Sequence, residues 1–182
     1  MLAQPKRHIV LVGVSGVGKS TVGRALTECL DMPFVDVDDE IVAREGCPET
    51  HTVSDIFDIS GEEYFRALES ETLHEILIHF EPEIVVCGGG AVLNEMNAEM
   101  LARHATVVHL TAPLATIRKR IVADSTARPL MDDADDATFE ARYRARKIAA
   151  DAIADVTIDT TTKTIEEVVK EICEELDGIL HT

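Results

Sequence analysis

The sequence predicts an α/β fold in which a parallel sheet is covered by helices on both faces. Two observations carry this reading. Five short apolar, β-rich runs alternate with segments of helical periodicity, the pattern of strands joined by crossover helices. The first such run leads into Gly13-Val14-Ser15-Gly16-Val17-Gly18-Lys19-Ser20, which matches G-x-x-x-x-G-K-[ST], a phosphate-binding loop set between a strand and a helix.

The elements follow in order. His8-Ile9-Val10-Leu11-Val12 suits a buried parallel strand. After the glycine loop, Val22, Ala25, Leu26 and Cys29 recur at helical spacing. Strands are expected at 33–37, 84–87, 106–110 and 155–158, with helices at 54–58, 62–80, 94–103, 113–122, 138–152 and 164–178. In the last helix Ile165, Val168, Val169, Ile172 and Leu176 share one face, and Glu166, Glu167, Lys170 and Glu174 the other, as in a helix lying on a sheet. Two segments break the alternation. Residues 38–66 are long for a crossover and read as a small substrate-binding insert; residues 123–137 lack a period and read as a lid. With 182 residues and no dividing linker, the chain reads as one domain over 1–182.

Composition narrows the function. The chain is 46% hydrophobic and 28% charged, with no apolar run near the roughly 20 residues of a membrane span. No signal peptide is read at the N-terminus, so a soluble cytoplasmic enzyme is expected. A net charge of −17 argues against nucleic acid as a partner. From Arg118 to Lys147, however, eight basic residues face six acidic ones, a local balance of +2 where a phosphate clamp is needed. Cys29, Cys47, Cys87 and Cys173 are widely spaced, which favours reduced, mostly buried thiols over disulfides. The histidines form no H-x-x-x-H pair, and no structural metal is read.

The glycine loop implies a nucleoside triphosphate. Its backbone N–H groups and the helix N-terminus point at phosphates. Lys19 would neutralise β and γ oxygens, and Ser20 would offer a hydroxyl to Mg²⁺. Gly13, Ser15, Gly16, Val17, Gly18 and Thr21 complete the expected nucleotide cradle. Asp36-Val37-Asp38 ends the second predicted strand. If extended, both carboxylates face one side, one to help hold hydrated Mg²⁺ and one to accept a proton; the alternative is a turn with helix-capping aspartates. Arg66 and Glu69 lie three apart on a predicted helix and can pair, leaving a fixed guanidinium fork for a carboxylate. Gly88-Gly89-Gly90 follows the third strand and permits close backbone approach to a ligand. Arg128-Pro129-Leu130 lies in the lid, where an arginine can reach a reacting phosphate.

Each motif is weak alone, but their order and spacing are specific. Together they resemble the shikimate kinase family over roughly residues 8–160, nearly the whole chain. The resemblance implies the nucleoside monophosphate kinase type of fold, with a five-stranded parallel sheet in the order 2-3-1-4-5. It implies transfer of the ATP γ-phosphoryl to the 3-hydroxyl of shikimate, a step toward chorismate and the aromatic amino acids, by a protein expected to be a monomer. It also implies roles. Lys19 and the loop hold phosphates, Ser20 and Asp36 hold Mg²⁺, and Asp38 binds substrate hydroxyls as candidate base. Arg66 meets the carboxylate, Gly88 to Gly90 wall the substrate, Arg128 closes over the phosphate, and Arg120 sits against adenine. The sequence departs from the family pattern in three places. Val42 follows Ile41 where the family has glutamate, the stretch from Gly46 to Val53 is about four residues longer, and R-x-P-x-Y becomes Arg146, Ile148 and Ala150. The second carboxylate-binding arginine is then Arg146, with Arg142 one turn earlier as the alternative. The rival reading is a related small-molecule kinase resembling gluconate kinases, which favour the same Gly-Val-Ser-Gly loop.

Overall fold

A computed structural model describes residues 8–45, 51–79, 81–123 and 136–180. Its five strands are β1 (His8–Val12), β2 (Phe34–Asp36), β3 (Ile84–Val86), β4 (Ala105–Thr111) and β5 (Val156–Asp159). They form one sheet in the order β2-β3-β1-β4-β5 with every pairing parallel, as expected. The central strand β1 aligns Leu11 with Val86 of β3 and with Val108 of β4.

The helices are α1 (Lys19–Leu30), α2 (Val37–Glu45), α3 (Val53–Ser60), α4 (Glu62–Leu77), α5 (Glu95–His104), α6 (Leu114–Ala123), α7 (Asp136–Ile153) and α8 (Ile165–Leu180), with a 3₁₀ turn at Ala91–Leu93. Six were expected at nearly these bounds, and α1 follows the glycine loop as read. The correction is α2. The insert expected at 38–66 contains a helix that starts at Val37, directly after a strand only three residues long. Asp38, Asp39 and Glu40 occupy its first turn and Arg44 its last, which suits the helix dipole at both ends. Residues 46–50 of the longer stretch, which include Cys47, and 124–135 of the lid lie outside the described residues.

Side-chain alternation along β1 divides the core in two. Ile9 and Leu11 pack with Val22, Leu26, Ile117, Val168 and Ile172 on the face covered by α1, α6 and α8. Val10 and Val12 pack with Ile41, Ile56, Phe65, Leu73 and Leu101 on the face covered by α2 to α5. Local capping fixes helix starts. Thr52 and Asp55 form a reciprocal box at α3, and Thr164 and Glu167 do so at α8, where Thr164 N–H donates to Glu167 at 2.8 Å. Cys87 is buried and Cys173 half-buried, but Cys29 is exposed, against the expectation for the thiols as a group. Its position on α1 lies beyond the buried face of Val22 and Leu26. No helix among the described residues is long and apolar enough to cross a membrane.

His8 begins β1 with its side chain in the protein. Its Nδ1 accepts from the Glu83 backbone N–H at 3.2 Å, and its Nε2 lies 3.3 Å from the His79 carbonyl. The Nδ1 lone pair must stay unprotonated to accept, and burial holds this imidazole below its ordinary value of 6.5. Below about pH 6.5 the unfolded chain therefore binds more protons at His8 than the folded one, so this contribution is full above that pH and is lost as pH falls. Burial acts on Asp36 and Glu69 in the opposite direction, so the comparison must isolate His8. We expect the stability advantage of the wild type over His8→Gln, read as the difference in Tm, to shrink between pH 7 and pH 5. A difference independent of pH would contradict this assignment.

Candidate active site

The candidate residues gather at the carboxyl ends of the strands, where parallel α/β sheets place their ligands. β1 runs into the glycine loop, and three of its glycines have positive φ: 140° at Gly13, 82° at Gly16 and 104° at Gly18. Gly13 is further constrained by contact, since a Cβ there would lie 2.4 Å from the Leu110 carbonyl oxygen of β4. The loop leads into α1 with no side-chain cap and no acidic residue in the first turn. An uncapped N-terminus with glycine torsions is the geometry that receives an anion. Lys19 is buried and its Nζ donates to the carbonyls of Gly13 at 2.9 Å and Val14 at 3.3 Å, folding the ammonium back over the loop. Ser15 lines the pocket beyond the loop, and Thr21 lies exposed in the first turn of α1.

Asp36 and Asp38 come together, but not as strand neighbours. The strand ends at Asp36, and Asp38 sits in the first turn of α2, where its backbone N–H donates to Asp36 Oδ1 at 3.1 Å. The helix-capping alternative was thus correct locally, and it still turns both buried carboxylates into the site. The other oxygen, Asp36 Oδ2, accepts from Ser20 Oγ at 2.7 Å. Burial, reinforced by the charges of Asp38 and Asp39, holds the Asp36 carboxyl above its ordinary range.

Arg66 and Glu69 pair across one turn of α4 at 2.7 Å, as the spacing predicted. This is no surface ion pair, because the Glu69 side chain is only 1% exposed. Burial raises its carboxyl above the usual range, and Arg66 pulls it back. Arg66 also stacks near the Phe57 and Phe65 rings, with its guanidinium carbon 5.6 and 5.3 Å from their centroids.

The three glycines after β3 make room for these groups. A Cβ at Gly88 would lie 2.6 Å from Glu69 Oε1 and 2.9 Å from Asp38 Oδ1. At Gly90 it would meet the Arg66 guanidinium at 2.9 Å, and at Gly89 the Ser15 backbone nitrogen at 3.0 Å. One pocket is therefore walled by Ser15, Asp38, Phe57, Phe65, Arg66, Glu69, the three glycines and Arg146. Between the two arginines left open by the sequence, Arg146 is the one that lines it. Burial, then the charges of Arg66 and Arg142, pull its guanidinium below the ordinary value. Like charges are thus gathered at one wall of a pocket, which an anionic ligand would relieve.

A second pocket lies on the other side of the glycine loop, between Val17, Gly18, Val22, Arg120, Thr160, Lys163, Ile165 and Val168. Arg120 spans it from α6, donating to the Thr160 carbonyl at 2.6 Å, to Thr160 Oγ at 2.9 Å and to the Val17 carbonyl at 3.3 Å. Thr160 and Lys163 were not picked out from the sequence. The only cue was their place just after the fifth strand. Ala150 is buried and Ile148 exposed where the family motif has tyrosine and proline. Arg128 lies outside the described residues.

The comparisons agree with this arrangement. The shikimate kinase family model matches residues 15–177. A shikimate kinase of Thermobifida fusca is 50% identical over 122 residues, 67% of this chain and 67% of that one. A bifunctional shikimate kinase/3-dehydroquinate synthase of Thermotoga maritima is 40% identical over 126 residues, 69% of this chain but 24% of that longer protein. A shikimate kinase from Acinetobacter baumannii in complex with shikimate superposes with a TM-score of 0.86 at 29% identity, over 97% of this chain and 96% of that one. A gluconokinase from Sinorhizobium meliloti reaches a TM-score of 0.57 at 21% identity over 98% and 96%, a likeness of fold alone. With the family model spanning most of the chain, and the glycine loop, Arg66–Glu69 pair and triple glycine assembled as above, the protein belongs to the shikimate kinase family.

Proposed function

We propose that this enzyme transfers the γ-phosphoryl group of ATP to the 3-hydroxyl of shikimate, giving shikimate 3-phosphate for aromatic amino acid biosynthesis. The observation that carries the reading is the pocket beyond the glycine loop, where Arg66 and Arg146 stand on one wall and Asp38 on another. A cyclic acid with several hydroxyls matches those walls, its carboxylate toward the guanidinium groups and a hydroxyl toward Asp38. ATP enters from the opposite side. Its phosphates lie on the loop N–H groups and Lys19, and its base lies in the pocket spanned by Arg120.

Phosphoryl transfer through a loose transition state needs positioning and charge neutralisation more than a strong base. Lys19 supplies positive charge to the β and γ oxygens on leaving its two loop carbonyls. Asp38 orients the acceptor hydroxyl and takes its proton. Glu69 keeps the Arg66 fork in place, and Arg128 would supply positive charge to the transferring group. The oxygen-only set of Ser20 Oγ and the buried Asp36 carboxylate fits Mg²⁺, which keeps most of its water and phosphate ligands. Bound there through these two residues, the ion would add charge neutralisation at the β and γ phosphates.

Replacing Arg66 by Ala removes a charged hydrogen-bond donor worth about 1.5–3 kcal/mol. The KM for shikimate should rise roughly 10- to 100-fold while the KM for ATP stays within about twofold. Arg66→Lys, which keeps a charge beside buried Glu69 but loses the fork, should fall between. An unchanged shikimate KM in both variants would remove Arg66 from the carboxylate site.

A further inference from the structure

We propose that His109 and Asp151 are positioning residues that set Arg146 against the carboxylate of the acid substrate. The inference rests on the reading above. His109 lies on β4 with its side chain 1% exposed, and its Nδ1 is 2.9 Å from Asp151 Oδ1 on α7. Asp151 Oδ2 accepts from Lys147 Nζ at 2.6 Å. None of these groups lines the substrate pocket or the nucleotide pocket.

A histidine at this place needs a reason. Ala105 and Val107, four and two residues earlier on the same face of β4, pack into the apolar core under α5 and α7. Burying an imidazole among them costs free energy unless it is hydrogen-bonded. Asp151 provides that bond, and burial keeps the ring below its ordinary value, so the neutral Nδ1–H donates to the carboxylate.

The architecture of α7 gives the bond its use. The helix has 18 residues, yet only Phe139 and Ala150 are fully buried. Its other apolar contacts come from the partly buried Tyr143, Ala149 and Ile153. Side-chain ties add to these: at the start of the helix Arg118 of α6 pairs with Asp136 and lies over the Phe139 ring, and two further ties reach β4 and the residue after it. Tyr143 Oη donates to the Ala112 carbonyl just past β4 at 2.9 Å, and Asp151 meets His109 within β4. Arg146 lies between them, three residues after one and five before the other. The same strand end touches the glycine loop, since the Leu110 carbonyl lies against Gly13. β4 is thus a common frame for the phosphate loop and for Arg146, which fixes the distance between phosphoryl donor and bound acid. A misplacement near 1 Å can cost about 10²-fold in such a reaction.

The test is steady-state kinetics on the full-length enzyme with shikimate and ATP varied in turn. Asp151 is partly exposed, so its variants keep the core intact. Asp151→Leu should raise the shikimate KM about tenfold with the ATP KM within about twofold, and should lower Tm because buried His109 loses its hydrogen-bond partner. Asp151→Asn retains an oxygen that accepts from His109 Nδ1–H and should restore most of the loss. His109→Leu should match Asp151→Leu, and the double variant should be no worse than either, because one linkage is removed in all three. An unchanged shikimate KM in Asp151→Leu overturns the inference. So does an equal rise in both KM values, or an Asp151→Asn enzyme as impaired as Asp151→Leu. A wild-type enzyme indifferent to shikimate overturns the substrate reading and this inference together, whereas an active wild type with an indifferent Asp151→Leu overturns this inference alone.

Discussion

Replacing Lys19 by Met should nearly abolish phosphoryl transfer, with kcat/KM down by about 10³-fold or more. The expectation comes from position and charge. Lys19 is buried at the start of α1, and its ammonium lies over the loop on the carbonyls of Gly13 and Val14. In the proposed mechanism the same ammonium would exchange those carbonyls for phosphate oxygens on ATP binding. Methionine keeps the length and apolar stem but carries no charge. Removal of one preorganised electrostatic contact to developing charge typically costs about 10²–10³-fold, and here ground-state nucleotide binding weakens as well. The two carbonyls left behind belong to buried Gly13 and Val14, so the variant should lose some stability while keeping its secondary structure. Stopped transfer with a wild-type far-ultraviolet circular dichroism spectrum is the predicted result. An active Lys19→Met enzyme would refute the phosphate-loop mechanism.

The second large effect is expected at Asp38. Asp38→Asn preserves size and keeps an oxygen toward the acceptor hydroxyl, but it cannot take the proton. Turnover should drop about 10²–10⁴-fold, the usual share of a positioned acid–base group. The KM for ATP should move little, because the proposed nucleotide site is on the loop side and Asp38 lines the pocket beyond it. Glu69 is the nearest possible substitute, since both carboxylates approach the same point beside Gly88. Its pairing with Arg66 at 2.7 Å commits it elsewhere. Wild-type turnover in Asp38→Asn would therefore show that positioning alone suffices. A loss of ATP affinity equal to the loss of turnover would place Asp38 in the nucleotide site instead.

Much of this site was legible in the sequence because its signals are local. A strand, a glycine loop and a helix identify themselves in about twenty consecutive residues, and the i, i+3 spacing of Arg66 and Glu69 predicts their pairing. Of the two readings of Asp36-Val37-Asp38, the structure shows the turn with helix-capping aspartates, and the signal for it is local as well. Val37 and Ile41 are four apart, and three acidic residues follow Val37, which together mark the first turn of a helix. The D-x-D alternation competes with that signal, which is why the sequence left both readings open. The choice between Arg142 and Arg146 was of another kind. Both lie on one face of α7, and the contacts that set its rotation, Tyr143 to Ala112 and Asp151 to His109, join residues 31 and 42 apart. No periodicity reports such long-range ties. The pocket around Thr160 and Lys163 was equally hidden, since it exists only where α6, α8 and the loop after β5 meet α1.

The most direct measurement is ADP release by the purified protein with ATP and Mg²⁺, comparing shikimate, gluconate, quinate and no acceptor. The account predicts strong stimulation by shikimate alone, with the phosphate on the 3-hydroxyl of the product. Stimulation by gluconate or quinate, or equal release in all four samples, would contradict the assignment of the pocket between Asp38, Arg66 and Arg146 to shikimate.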